Sequence, residues 1–158
     1  MISIKELTHS TYETFLYYLA CNNMSKDFSV DVNRPIWTLF EGEKIRGFLS
    51  TTNCEQKFSI LEYLITDHDC EFKDGLIRAA INACHNKRIP WIVCRESFLE
   101  NKFPLKDYFK IVQTNHELYS LLSVYPLHQP NENYYFTNSD IIYKTGCKGR
   151  VSSIESKT

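Results

Sequence analysis

The chain has 158 residues, 43% of them hydrophobic and 14% aromatic, with a formal net charge of −1 and a pI near 6.5. That length suits one domain with a core that needs no staples, and the composition excludes intrinsic disorder. Near-neutral charge argues against a nucleic-acid or acidic-membrane partner, and no apolar run approaches the roughly 20 residues needed to span a bilayer.

In chain order, Ile2, Ile4 and Leu7 predict a short first strand. Ser10-Thr-Tyr-Glu13 has the form of a capping box. Tyr12, Phe15, Leu16, Leu19 and Ala20 follow at helical spacing. A polar loop spans Met24 to Arg34. Two β-rich runs, Ile36 to Phe40 and Ile45 to Thr52, flank Glu41-Gly-Glu-Lys44 and predict a hairpin; Phe58 to Thr66 adds a third antiparallel strand. Simple alternation puts Phe58, Ile60, Glu62 and Leu64 on one face of that strand, and Ser59, Leu61, Tyr63 and Ile65 on the other.

The stretch Tyr63 to Arg88 then runs from strand through a polar loop into a helix. Asp74 is the expected N-cap, and Leu76, Ile77, Ala80, Ile81 and Cys84 form one broad apolar face. Arg88 and Pro90 mark its end. A helix N-terminus after a strand offers unpaired N–H groups suited to a phosphate. Trp91 to Cys94 is almost wholly apolar, as in a strand buried on both faces, and a helical crossover implies parallel pairing with the preceding strand. Arg95 to Asp107 reads as a short helix or irregular turn broken near Pro104. Tyr108 to Gln113 and Leu118 to Tyr125 read as two final strands. From Pro126 the composition shifts, with a β-prone patch at Tyr134 to Thr137, a second patch from Asp140 to Lys144, and a loose end from Gly146. A domain over 1–125 and an extension over 126–158 are expected.

Six cysteines (Cys21, Cys54, Cys70, Cys84, Cys94, Cys147) include no CxxC pair, and the five histidines are dispersed, so no metal site is expected. The start, MISIKELTHS, lacks the charged and apolar segments of a secretory signal, which makes a cytoplasmic location and free thiols the expectation. Cys84 and Cys94 read as small core residues. No G-x-S-x-G elbow, Walker loop or G-x-G-x-x-G is present. Tyr134-Tyr-Phe136 with Lys144, Lys148 and Arg150 offers aromatics and bases for single-stranded nucleic acid. The neutral charge favours a solvated tail instead.

The order β-α-β-β-β-α-β-(α)-β-β resembles the GNAT superfamily of acyl-CoA N-acyltransferases over about Met1 to Tyr125. Three stretches carry the likeness. Ile45-Arg-Gly-Phe-Leu is similar to the family's third-strand "I-x-G-F", Gly75-Leu-Ile-Arg-Ala-Ala-Ile to its "G-x-G-x-A-L-L" helix start, and Asp107-Tyr-Phe-Lys-Ile-Val to its "L-G-F-K" junction. The resemblance implies an α/β fold of the α+β kind, a mixed, mostly antiparallel sheet flanked by helices on both faces. It also implies acetyl-CoA or another acyl-CoA as cofactor and a small-molecule or peptide amine as acceptor, with no nucleic acid or membrane partner. Glu62 would be the catalytic base and Tyr108 the nearest acid; Ile65, Thr66, Lys73, Gly75, Leu76, Ile77 and Arg78 would hold the cofactor. Two departures stand out. In the pyrophosphate loop R/Q-x-x-G-x-G/A only Gly75 fits, with Phe72 and Ile77 at the other positions. The family's acid tyrosine falls on Pro104, which donates nothing. A non-catalytic GNAT-fold protein that binds a small ligand or a protein partner is the alternative.

Overall fold

A computed structural model describes residues 1–24, 28–67, 70–99, 105–125 and 132–145. Seven strands, β1 (Ile2–Glu6), β2 (Ile36–Glu41), β3 (Lys44–Cys54), β4 (Phe58–Thr66), β5 (Trp91–Arg95), β6 (Lys110–Ile111) and β7 (Tyr134–Asn138), form one sheet in the order β1-β2-β3-β4-β5-β7-β6. Among the described residues only β4 and β5 pair in parallel, because a helix carries the chain back between them. Helices α1 (Tyr12–Cys21), α2 (Cys70–Asn86), α3 (Glu117–Ser123) and α4 (Ile141–Thr145) complete the domain.

Alternation along the strands divides the core. Leu39, Leu49, Leu61, Ile92 and Cys94 face α2, whose Leu76, Ile77, Ala80, Ile81 and Cys84 fill the layer above them. On the opposite face, Phe15 and Leu19 of α1 pack on Phe40, Ile45 and Phe48, while Leu118 and Leu122 of α3 pack on Phe58, Ile60 and Val93. Each Leu or Ile fully buried this way contributes about 1.5–3 kcal/mol. Helices therefore cover both faces, as the family resemblance implies. Cys84 and Cys94 are core residues, and with Cys21 and Cys54 they are free thiols.

Several local expectations are corrected. The capping box at Ser10 and Glu13 does not form: Thr11 is the N-cap, its hydroxyl instead accepting from the Thr8 N–H at 3.2 Å. Asp74 is not an N-cap either, since α2 begins at Cys70 and Asp74 lies within it, paired with Arg78. Leu118 to Tyr125 is not a strand. His116 accepts from the Leu118 N–H at 3.1 Å and starts α3, and Leu118, Leu121, Leu122 and Tyr125 stand at the i, i+3, i+4 and i+7 spacing of a helix. The last strand is β7, antiparallel to both β5 and β6, so the sheet runs on past position 125. Its Tyr134 is buried and Tyr135 and Phe136 are half-buried, which uses those aromatics in packing; Pro104 and residues 146–158 lie outside the described residues.

Gly47, the glycine of the Ile45-Arg-Gly-Phe-Leu run, sits where β3 meets the end of β4. A Cβ there would lie 2.7 Å from the Ile65 carbonyl oxygen and 3.0 Å from the Thr66 Cα, and backbone atoms cannot step aside cheaply. Gly47→Ala is expected to cost about 1–3 kcal/mol, read as a lower denaturation midpoint at unchanged slope.

Candidate active site

β4 and β5 run side by side only from Phe58↔Trp91 to Leu61↔Cys94. Beyond that point β4 continues to Thr66, paired with β3 alone, while β5 ends at Arg95 and turns away into a 3-10 turn, Glu96–Leu99. The turn is pinned from the far side: Glu132 accepts from Ser97 N at 3.1 Å and Ser97 Oγ at 2.5 Å, and Glu96 N donates to Asn133 O at 2.9 Å. The Ser97 hydroxyl bond holds the Glu132 carboxyl below its ordinary range. Arg95 reaches back across the opening, its Nη2 at 3.5 Å from the Glu62 carbonyl oxygen.

At the same level β4 carries a β-bulge. Ser50 pairs with Tyr63 and Thr51 with Leu61, so Glu62 is the extra residue. The bulge reverses the alternation, a correction to the faces expected from spacing: Leu64 packs with Leu61 on the α2 side, whereas Tyr63 turns to the other face, its ring 6.1 Å from that of Phe28.

Glu62 Oε1 accepts from the Tyr125 hydroxyl at 2.7 Å. Tyr125 follows α3, whose position is set by Leu118 and Leu122 in the core and by Trp91 Nε1 donating to Glu117 at 3.1 Å. Burial, then the bond to Glu62, pushes the Tyr125 hydroxyl above its ordinary value, so it holds its proton and acts as a donor. Ser50 Oγ is buried without a protein partner among the described residues, beside a cavity of about 30 Å³ that Thr52, Glu62, Phe28, Ser29 and Arg34 also line. A polar cavity of that size has room for a water. The arrangement is a carboxylate held by a neutral donor, reached from the loop before β2.

No protein-family model and no curated protein sequence matches the chain. Solved structures do match. An acetyltransferase of the GNAT family from Staphylococcus aureus Mu50 is 16% identical with a TM-score of 0.59, over 88% of this chain and 99% of that one. Tetrahymena GCN5 is 12% identical at a TM-score of 0.63, over 86% and 95%. The N-acetylglutamate synthase from Neisseria gonorrhoeae, complexed with coenzyme A and N-acetyl-glutamate, is 10% identical at 0.59, over 87% of this chain and 35% of that one. The chain has the GNAT fold.

Among the residues that the GNAT resemblance nominated, Glu62 stands at the bulge where the strands part. Tyr108 does not join it: it ends a 3-10 turn leading into β6, which β7 and β5 separate from β4 in the sheet. Tyr125 is the tyrosine that meets Glu62, and nothing in its sequence surroundings distinguishes it from nine others. Ile65 and Thr66 lie on the freed length of β4, half-buried. Lys73, Gly75, Leu76, Ile77 and Arg78 all lie inside α2.

The fit of CoA's pyrophosphate to those helical residues is poor. The N–H groups of Gly75, Leu76 and Ile77 are committed to carbonyls four residues back. A Cβ on Gly75 would meet Ile4 Cδ1 at 3.0 Å, so the glycine admits β1 rather than a ligand. Leu76 and Ile77 are fully buried, and Arg78 Nε bonds both Asp74 oxygens at 3.0 Å. Among the described residues no cluster of His, Cys, Asp or Glu suits a metal ion, and no helix is long and apolar enough to cross a membrane.

The Cys54 thiol, at the end of β3, is pushed up from 9.0 to about 11 by burial and then by the Glu62 charge. Cys54 and Tyr125 thus bind their protons more tightly folded than unfolded. Stability is expected to be intact below about pH 9 and to fall as pH rises toward about 11. Thermal melts across that window check it. Iodoacetamide at about pH 8 should also label exposed Cys21 well before Cys54.

Proposed function

We propose that the protein is an N-acyltransferase that moves an acetyl or other acyl group from a CoA thioester to an amine. One observation carries this reading: Glu62 stands at the bulge where β4 and β5 part, with the Tyr125 hydroxyl 2.7 Å away. An alkylammonium has no lone pair, so it must lose a proton before it attacks an acyl carbon. Glu62 takes that proton. Tyr125, by donating to Oε1, holds the carboxylate in one orientation and leaves the second oxygen for the amine. The amine arrives past Phe28, Ser29 and Arg34, which line the cavity on the Glu62 side. The gonococcal synthase, with coenzyme A and N-acetyl-glutamate bound on the same fold, supports a thioester donor and an amine-derived product at this level of generality.

A second reading, a GNAT-fold protein that binds a ligand or a protein partner without catalysis, is favoured by α2. Gly75 to Arg78, which the resemblance nominated for the cofactor, lie inside the helix, and Asp74 holds Arg78 at 3.0 Å.

Thiol release from acetyl-CoA in the presence of an amine panel separates the two. The acyltransferase reading expects turnover, reduced about 10²-fold or more by Glu62→Gln with the melting temperature kept. Tyr125→Phe should lower turnover with the melting temperature kept, because Glu62 loses the donor that orients it. No turnover with any amine, and no thermal shift at millimolar acetyl-CoA, would leave the binding reading in place. Unchanged turnover in the Gln variant would remove Glu62 from the mechanism.

A further inference from the structure

We infer that the acceptor is a primary amine carrying an anionic group of its own, as a free amino acid does, with its ammonium between Glu62 and Ser50 and its anion on Arg34. The word acceptor rests on the acyltransferase reading; the charge pattern of the cavity does not.

The chain before β2 continues the pairing of β2 with β3. Ile36 pairs with Ser50, and beyond it Pro35 O accepts from Thr51 N at 3.1 Å and Asn33 O from Asn53 N at 2.7 Å. Thr51 Oγ1 donates to the same Pro35 carbonyl at 2.9 Å, so both neighbours of Arg34 are tied to β3. That register sets Arg34 opposite Thr52, and alternation puts Arg34, Ile36, Ser50 and Thr52 on one face. Glu62 shares that face, since it lines the same cavity as these four. A carboxylate on β4, a hydroxyl on β3 and a guanidinium on the extension of β2 therefore stand in a row across three strands.

Each has bonding capacity that the protein does not use. Ser50 is only 6% exposed, and its Oγ has no hydrogen-bond partner among the described residues. A buried hydroxyl left so is costly unless a water or a ligand meets it. Glu62 accepts from Tyr125, a neutral group, and neither Glu62 nor Arg34 enters an ion pair among the described residues. Two opposite charges that face one cavity without neutralising each other match a ligand that carries both. The planar fork of a guanidinium suits a carboxylate in particular. Size sets the order of the two charges. The enclosed volume, about 30 Å³, takes an ammonium head but not the rest of a substrate. The remainder must lie toward the rim, where Arg34 is exposed.

The test compares amino acids with their own carboxamides as acceptors, with acetyl-CoA as donor. kcat/KM is expected to be about tenfold or more higher for the acids, the worth of one charge-assisted bond, although the amine of a carboxamide loses its proton more readily. Arg34→Gln should bring each pair within about threefold, and Arg34→Lys should restore part of the gap. Ser50→Ala should raise KM for acids and carboxamides alike and keep the melting temperature, because Oγ has no protein bond to lose among the described residues. Equal use of acids and carboxamides, or a preference that survives in Arg34→Gln, would overturn the inference and leave the acyltransferase reading standing.

A second readout needs no acyl transfer. Amide NMR of the full chain, titrated with the amino acids with and without coenzyme A, is expected to show saturable shifts at Arg34, Ser50, Thr52 and Glu62. Arg34→Gln should weaken that binding about tenfold or more. Such binding without turnover would keep the site for an amino acid and remove the acyltransferase reading. No shift with any amino acid, or carboxamides that bind as tightly as the acids, would overturn the site itself.

Discussion

A strand in the middle of a sheet satisfies its backbone on both sides, and β4 does so only as far as Leu61. From there to Thr66 its second edge has no strand beside it among the described residues, because β5 leaves at Arg95. Backbone groups released inside a domain are costly unless something takes them. The Arg95 guanidinium takes one, the Glu62 carbonyl, and the 3-10 turn Glu96–Leu99 packs into the opening, with Phe98 and Leu99 in the α2-side core. The bulge belongs to the same event. One extra residue on β4 bends the strand and turns Glu62 out of register, so the carboxylate arrives where the two strands diverge. Most of the other elements can be understood as holding this opening: Glu132 and Asn133 pin the exit of β5, and α3 brings Tyr125 to the Glu62 carboxylate.

The helix α2 shows how residues that the resemblance assigned to a cofactor are taken up in packing. In α2 the apolar face Leu76, Ile77, Ala80, Ile81 and Cys84 is fully committed to the sheet. Extending the helix back to Cys70 turns residues that would cradle an anion into a second and third helical turn. Asp74 and Arg78, at i and i+4, then form a two-bond pair, a modest local stabilisation of about 0.3–0.5 kcal/mol. Gly75 remains glycine for a different reason, the close approach of Ile4. Those letters serve packing, with Gly75 against Ile4 and Leu76 and Ile77 buried.

The C-terminal third is where local reading and structure differ most. Leu118 to Tyr125 has enough Leu, Val and Tyr to pass for a strand, yet its spacing also fits a helix. The His116 cap and the fit of Leu118 and Leu122 over Phe58, Ile60 and Val93 favour the helix. The strand it displaced is supplied by β7, which inserts between β5 and β6. Such a placement is invisible locally, because β7 pairs with β5 some forty residues earlier in the chain.

What the chain by itself determined is what depends on near neighbours. The α1 stripe, the hairpin around Gly42, the third strand, the apolar face of α2 and the doubly buried run at Trp91 to Cys94 are all periodic signals of one segment, and with the order of elements they were enough to point to the GNAT fold. Glu62 was legible as a carboxylate on a strand flanked by apolar residues. What only the tertiary structure decided depends on register and on distant partners. A one-residue bulge at Glu62 is set by pairing with Ser50 and Thr51, so alternation alone assigned Leu64 to the wrong face. The start of α2 follows from what packs on it, not from the best capping residue. The tyrosine at the site comes from 63 residues downstream of Glu62, and no local pattern marks it among ten.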